Sequence, residues 1–185
     1  IEIEKFGYNV TGIDLSKNSI KEAKKNENKN LKFLIHDISI PMDKKYDAIF
    51  NLFTSFGYID KKKDLKILNA IEKSLKKKGV GIIDFLNINK VKKELIKNEI
   101  IIKKKIKFKI KRKANKDFVT KNITFDDNKK KYNYNESVNA LSLNEFEEYF
   151  IRTNLDILEV FGDYNLNKFE INTSPRLIIL FQKVK

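Results

Sequence analysis

The chain has 185 residues, with 39 Lys and Arg against 25 Asp and Glu, one His, no Cys and no Trp. Its length suits one domain with a small insertion, and 41% apolar content excludes wholesale disorder despite 35% charge. The lack of cysteine excludes a disulfide scaffold, a thiolate zinc site and a Cys nucleophile, and a lone His leaves no metal site to expect.

No apolar run is long enough to span a bilayer and no basic-then-apolar leader opens the chain, so a cytoplasmic protein without a membrane partner is expected. The formal charge of +14 is uneven. Residues 99–137 hold 13 basic and 5 acidic residues, whereas 142–185 hold 5 and 7. The excess is Lys accompanied by abundant Asn and Ile. That pattern reads as solvated lysines from a composition bias before it reads as a nucleic-acid footprint.

In chain order, Ile1 to Phe6 reads as the end of a helix and Gly7 as its left-handed cap. Tyr8 to Asp14 is a β-branched strand that ends in a carboxylate. Ser16 caps a helix that carries Ile20 and Ala23 and runs to about Asn26. Leu31 to Ile35 is a buried strand followed by His36-Asp37. Tyr46 to Phe53 is another, followed by Thr54-Ser55-Phe56-Gly57-Tyr58. Leu65, Leu68, Ile71 and Leu75 predict an amphipathic helix over Asp64–Lys77, closed by Gly79, before a strand from Val80 to Leu86. Strands that are apolar on both faces and alternate with helices predict a mostly parallel sheet covered on both sides.

The later chain changes period. Ile88, Val91, Leu95 and Ile96 suggest a short helix. Three runs then alternate apolar and polar residues: Ile106 to Ile110, Val119 to Phe125, and Tyr132 to Val138. Turn residues Ala114-Asn115 and Asp127-Asn128 separate them. This predicts an antiparallel meander with one apolar face and one lysine face. Ser142 and Glu145 form a capping box that opens a helix to Arg152, and Leu155–Phe161 and Arg176–Val184 close the chain as strands. The expectation is an α/β fold with flanking helices, in which residues 1–98 and 141–185 form the core and 99–140 form a small antiparallel β insertion.

Several residues fall where ligands bind in such sheets. An acidic residue at the end of a strand that enters a helix accepts ribose hydroxyls in nucleotide-binding α/β folds. Asp14 is so placed, or else it caps the next helix. The Gly-rich turn such folds carry would lie before Ile1. Asp37 can accept from the exocyclic amine of a base with Ile38 against the ring, or be a turn residue beside a partly exposed His36. Asn51, Ser55, Phe56, Gly57 and Tyr58 lie at the carboxyl edge of a strand, where such sheets bind ligands. Phe56 and Tyr58 serve equally as core or rim aromatics, and Gly57 marks a sharp turn or a close approach.

The run Tyr8-Asn-Val-Thr-Gly-Ile-Asp-Leu-Ser16 resembles the second strand and ribose-binding position of class I methyltransferases that use S-adenosylmethionine. Phe33-Leu-Ile-His-Asp37 looks like their third strand. Tyr46 to Tyr58 is similar to their fourth strand and its loop in small-molecule-type members. Leu75-Lys-Lys-Lys-Gly-Val-Gly-Ile-Ile-Asp84 matches their "LKPGG" turn and fifth strand, with Lys in place of Pro and Val80 in place of Gly. Phe161-Gly-Asp-Tyr164 and Thr173-Ser-Pro-Arg-Leu177 look like the last strands of a subgroup that carries a β-insert over its active site. The family's first strand and GxGxG loop are not among these residues, and the resemblance implies that they precede Ile1.

The resemblance implies a Rossmann-like fold, S-adenosyl-L-methionine as cofactor and a small-molecule acceptor. Asp14 and Leu15 would meet the ribose and adenine, Asp37 and Ile38 the adenine, and Asn51 and Leu52 the methionine end. Ser55, Phe56, Gly57, Tyr58 and Arg176 would contact the acceptor, with Tyr58, Asp163 and Arg176 as catalytic candidates. Arg176 would hold a carboxylate or phosphate, or pair with Asp163 or another carboxylate. The insert would act as a lid whose Phe108, Phe125, Tyr132 and Tyr134 are wall residues or a small core of its own. A nicotinamide-dependent oxidoreductase would also use Asp14 but leaves Asp37 and the Ser55–Tyr58 loop unexplained. A further alternative is an RNA methyltransferase, or a non-catalytic RNA-binding relative, that uses Lys107, Lys109 and Lys111.

Overall fold

The computed structural model describes residues 1–58 and 61–184, the side chains of 61 and 62 excepted. A single turn of 3-10 helix at Ile3–Phe6 ends on Gly7, whose φ of 88° is the left-handed cap that its lack of a side chain permits. β1 (Val10–Asp14) leads into α1 (Lys17–Ala23), where the Ser16 hydroxyl accepts from the Ser19 amide, and β2 (Leu31–Ile35) returns parallel to β1. β3 (Tyr46–Asn51), α2 (Lys61–Ser74), β4 (Leu75–Leu86) and α3 (Ile88–Glu94) follow.

The end of α2 differs from the expectation. The helix stops at Ser74, whose hydroxyl donates to the Ala70 carbonyl and accepts from the Met42 amide, and Leu75 already pairs with Tyr46. The left-handed residue is Lys78 at φ 59°, while Gly79 is needed for space: a Cβ there would lie 2.9 Å from the Lys76 carbonyl oxygen.

The next four strands are β5 (Asn98–Lys103), β6 (Ile106–Ala114), β7 (Phe118–Asp127) and β8 (Lys130–Asn139), paired antiparallel in that order. Alternation shows only the last three, because Ile100, Ile101 and Ile102 break the period of two and mask β5. The hairpin turns Lys104-Lys105 and Asn128-Lys129 are left-handed at both residues, the geometry that matches strand twist. α4 (Leu143–Ile151) opens on the expected capping box of Ser142 and Glu145, and β9 (Leu155–Phe161) and β10 (Arg176–Lys183) close the chain.

The strands make three sheets: the β1-β2 pair, the meander, and a four-stranded sheet in the order β3-β4-β10-β9. β3 and β4 are parallel, but β10 lies between β4 and β9 and runs against both. The expected mostly parallel sheet is therefore mixed. β9 and β10 are neighbours joined by a loop, and without a crossover the chain can only return antiparallel. β1 and β3 each keep one edge with no strand partner among the described strands.

α2 and α4 cover the mixed sheet. Leu68, Ile71, Phe146 and Phe150 pack on Ile83, Phe85, Leu177, Ile179 and Phe181. Phe146 touches the rings of Phe56 and Phe85 at 5.4 and 5.3 Å between centroids, and Phe150 meets Phe181 edge-on at 5.1 Å. Each such ring contributes roughly 2–3 kcal/mol of burial. Among the described residues no helix is long and apolar enough to cross a membrane, and no cluster of three His, Cys, Asp or Glu could hold a metal.

Candidate active site

The carboxyl edge of the mixed sheet is organised by Asp84, a carboxylate in the apolar second half of β4. It is 1% exposed. Its Oδ1 accepts from Nε of Arg176 at 2.7 Å, and its Oδ2 accepts from the Phe53 amide at 2.8 Å and the Tyr164 hydroxyl at 3.0 Å. The Asp84 carbonyl accepts from the Thr54 amide, and the Arg176 guanidinium also donates to the Thr54 hydroxyl at 2.9 Å. These bonds hold Phe53 and Thr54 left-handed at φ 57° and 61°, a conformation that costs a non-glycine residue of order 1 kcal/mol or more. Arg176 is thus ion-paired with Asp84. Asp163 instead accepts from the amides of Asn165 and Asn167 and the Asn167 side chain, and these hydrogen bonds hold its pKa below the usual carboxylate range.

Thr54, Tyr58, Pro175 and Arg176 form one side of a cleft of about 590 Å³. Its floor is apolar, with Leu86, Val91, Leu95, Ile96, Val119 and Val138, and its far wall is the inner face of the meander with Glu99, Arg112, Lys121 and Glu136. Each cation of the cleft has a carboxylate partner: Arg112 with Glu99 at 2.7 Å, Lys121 with Glu136 at 3.2 Å, Lys90 with Glu94 at 3.6 Å, and Arg176 with Asp84. Tyr58 is half exposed. Burial first, and then the charge of Glu136, push its phenol pKa upward, so the hydroxyl keeps its proton at neutral pH and can donate.

Of the other residues expected to meet an acceptor, Ser55 is exposed and donates to the Leu52 carbonyl. Gly57 is buried at φ 82°. Its carbonyl accepts from the Asn139 amide at 2.7 Å, which ties the site loop to the end of β8. Phe56 does not reach the cleft: it is fully buried against Phe146, because α4 supplies the ring that it packs on. The rings of Phe125, Tyr132 and Tyr134 stack on one another at 4.9–6.5 Å, and Phe108 meets Phe125 tilted at 4.8 Å, as a cluster of their own on the meander.

On the other side of the loop, Asn51 is 2% exposed and its amide nitrogen and oxygen have no hydrogen-bond partner among the described residues. Burying such a group unpaired costs about 1–3 kcal/mol. Asp14 stands exposed at the end of β1, with Oδ1 accepting from the Ser16 amide, and Leu15 beside it is 60% exposed. Asp37 accepts at Oδ1 from the Ser39 amide and lies 3.5 Å from Lys63 at Oδ2. The Ser39 bonds and then Lys63 lower its pKa. Ile38 packs against the core, and the His36 ring bonds the Ile40 carbonyl at 2.9 Å. Position at strand edges draws attention to Asp14, Asn51 and Tyr58, and the family resemblance to Arg176; the structure puts Tyr58 and Arg176 in one cleft. Asp84, Thr54, Lys121 and Glu136 were missed, although a carboxylate within the apolar strand Val80 to Leu86 was a visible signal for the first.

Residues 2–79 match the family described as "Methyltransferase domain". No curated protein sequence matches the chain. Among solved structures, an S-adenosylmethionine-dependent methyltransferase from Clostridium acetobutylicum ATCC 824 superposes with a TM-score of 0.82 at 22% identity, over 94% of this chain and 74% of that one. The CcbJ methyltransferase of Streptomyces caelestis gives 0.82 at 11% identity, over 99% and 78%. The sugar N-methyltransferase KedS8 of Streptoalloteichus sp ATCC 53650 gives 0.72 at 10%, over 95% and 71%. At these identities the superpositions establish the fold, and the domain match covers the stretch that holds Asp14, Asp37 and Asn51. Residues 2–79 thus match a methyltransferase domain, and the chain as a whole has the fold of the solved S-adenosylmethionine-dependent methyltransferases on which it superposes.

Proposed function

We propose that the chain moves a methyl group from S-adenosylmethionine to a small-molecule acceptor bound in the cleft beneath the meander. The observation that carries this reading is Asn51: a buried amide without a partner among the described residues, at the carboxyl end of β3, where the loop that supplies Tyr58 to the cleft begins. Such a group is explained by a polar ligand beside it.

The residues present fit the cofactor. Asp14 would hold the ribose hydroxyls, with Leu15 and Ile38 near the adenine. Asp37 would accept from its amine alongside Lys63, and Asn51 and Leu52 would meet the methionine end. When bound, the cofactor supplies a methyl group on a sulfonium centre, whose departure as a neutral thioether needs no acid. The chain's part is alignment and exclusion of water. Tyr58 donates a hydrogen bond to the acceptor, and Arg176, already neutralised by Asp84, is a rigid wall and no clamp for a free anion. The meander, residues 99–140, acts as the lid of a core made by 1–98 and 141–185.

Balanced charge and an apolar floor suit a compact neutral or zwitterionic acceptor, in a volume usual for small-molecule sites. Neighbours titled as a sugar N-methyltransferase and a glycopeptide N-methyltransferase point the same way. The test is a calorimetric titration of S-adenosylhomocysteine. One equivalent should bind, and Asp14→Ala should weaken it about tenfold or more. A folded protein that shows no saturable binding would end this reading.

A further inference from the structure

The face of the meander that turns away from the cleft carries a second feature. Register pairs Arg112 with Lys121 on the inner face, and alternation puts Lys107, Lys109 and Lys111 on the outer one, together with Asn122, Thr124 and Lys131. These residues, with Phe125 and Asp126, line a groove of about 330 Å³. None of the four lysines forms an ion pair among the described residues, whereas Arg112 and Lys121, the two meander cations that line the cleft, are paired. Like charges spaced two residues apart, roughly 6.7 Å, repel one another, so an unpaired row costs stability in the free protein.

We propose that this outer groove docks the backbone of a nucleic acid strand through its phosphates. Lysines at strand spacing present a line of point charges to a linear polyanion, and the Asn122 amide and Thr124 hydroxyl add uncharged donors on the groove floor. The one aromatic that lines the groove, Phe125, is packed against Phe108 and Tyr132 at 4.8 and 4.9 Å between centroids, so it is not a free platform for a base and binding is independent of sequence. A lipid surface fits less well. The groove is concave and offers no protruding apolar side chain for insertion, and Ile100 and Ile102 stand only at its β5 border. Because the groove and the cleft lie on opposite faces of one sheet, the strand is a tether and not the methyl acceptor.

The experiment is fluorescence anisotropy of a labelled single-stranded 20-mer RNA with the whole chain across a range of KCl. About four phosphate contacts give a slope of log K against log[salt] near −3. K107Q/K109Q/K111Q should weaken binding at least tenfold at the lowest salt. The charge-matched control K21Q/K24Q/K29Q, on exposed lysines of α1 and the turn after it, should weaken it less than threefold. Equal losses in the two variants would overturn the proposal, because net charge alone would then explain the binding. So would absence of RNA binding at low salt, or RNA indifference combined with capture by phosphatidylglycerol vesicles.

Discussion

Asp84 joins three separate parts of the chain through one carboxylate: the turn at Phe53, the Tyr164 loop and the first residue of β10. Removing one partner of a buried pair leaves the other charge uncompensated, at roughly 3–5 kcal/mol, and the part-exposed Arg176 puts Asp84→Asn near the lower bound. Asp84→Leu combined with Arg176→Met should cost less than the two single changes added together. Urea unfolding of the four proteins measures this, and simple additivity would mean that the two side chains do not act as a pair. Tyr149 makes the opposite case, a buried hydroxyl with no partner among the described residues. Burial above all, with the charges of Asp64 and Glu145, holds its pKa far above the ordinary tyrosine value. Below about pH 10 the phenol is protonated in both states and the full stability is present. As pH rises past that point the unfolded chain releases the proton and the folded one keeps it, so stability falls by about 1.4 kcal/mol per pH unit. Tyr149→Phe should leave neutral-pH stability equal or up to about 1 kcal/mol higher, and should flatten the alkaline loss. Thermal melts from neutral pH to about pH 11 would show both effects.

At the scale of elements, the site loop, the end of β8 and the first turn of α2 are one hydrogen-bonded unit. The Gly57 carbonyl accepts from the Asn139 amide, and the Asn139 side chain donates to Asp64 at 2.7 Å. Gly57→Ala adds a Cβ at 3.3 Å from Phe85 and 3.4 Å from Val138 on a backbone at φ 82°. The strain should cost about 1–2 kcal/mol in urea unfolding. S-adenosylhomocysteine affinity should change little, since Asp14 and Asp37 lie on other loops. A large loss of affinity with full stability would mean that Gly57 lies against the cofactor. What could be read ahead of the structure follows the same division between local and distant contacts. Gly7, the Ser16 cap, the bounds of β2 and β9 and the capping box at Ser142 are decided by neighbours in sequence and fall where the residues put them, but β2, expected to be buried, leaves Leu34 and Ile35 exposed because it pairs with β1 alone among the described strands. The start of β4 at Leu75, the direction of β10 and the pairing of Arg176 are decided by contacts made far along the chain, 92 residues away for Arg176 and Asp84. Alternation separates the two faces of the meander but does not say which one turns toward the core. Glu136 and Lys121 are therefore not singled out by sequence, while Tyr58, in the loop after β3, and Arg176, at the start of β10, are. Phe56 was misplaced because its partner Phe146 belongs to an element that begins after the whole insert.

For the whole molecule, the net charge of +14 sets self-repulsion against the ion pairs, and salt separates the two. Between about 0.01 M and 0.1 M ionic strength the screening length falls from about 30 Å to about 10 Å. That removes repulsion summed over the protein, but leaves contacts such as Arg112 to Glu99 at 2.7 Å and the buried pair of Asp84 largely intact. The melting temperature should therefore rise with salt, by about 2–4 °C for each kcal/mol of repulsion relieved in a chain of this size. K107Q/K109Q/K111Q lightens the most crowded row, so it should melt higher than the parent at low salt and respond less to added KCl. Scanning calorimetry of both proteins over that range decides the matter. A melting temperature that falls with salt would mean that exposed ion pairs outweigh the lysine excess. The unpaired outer row would then cost the free protein nothing, and relief of that cost could not be part of what draws an anionic strand to the groove.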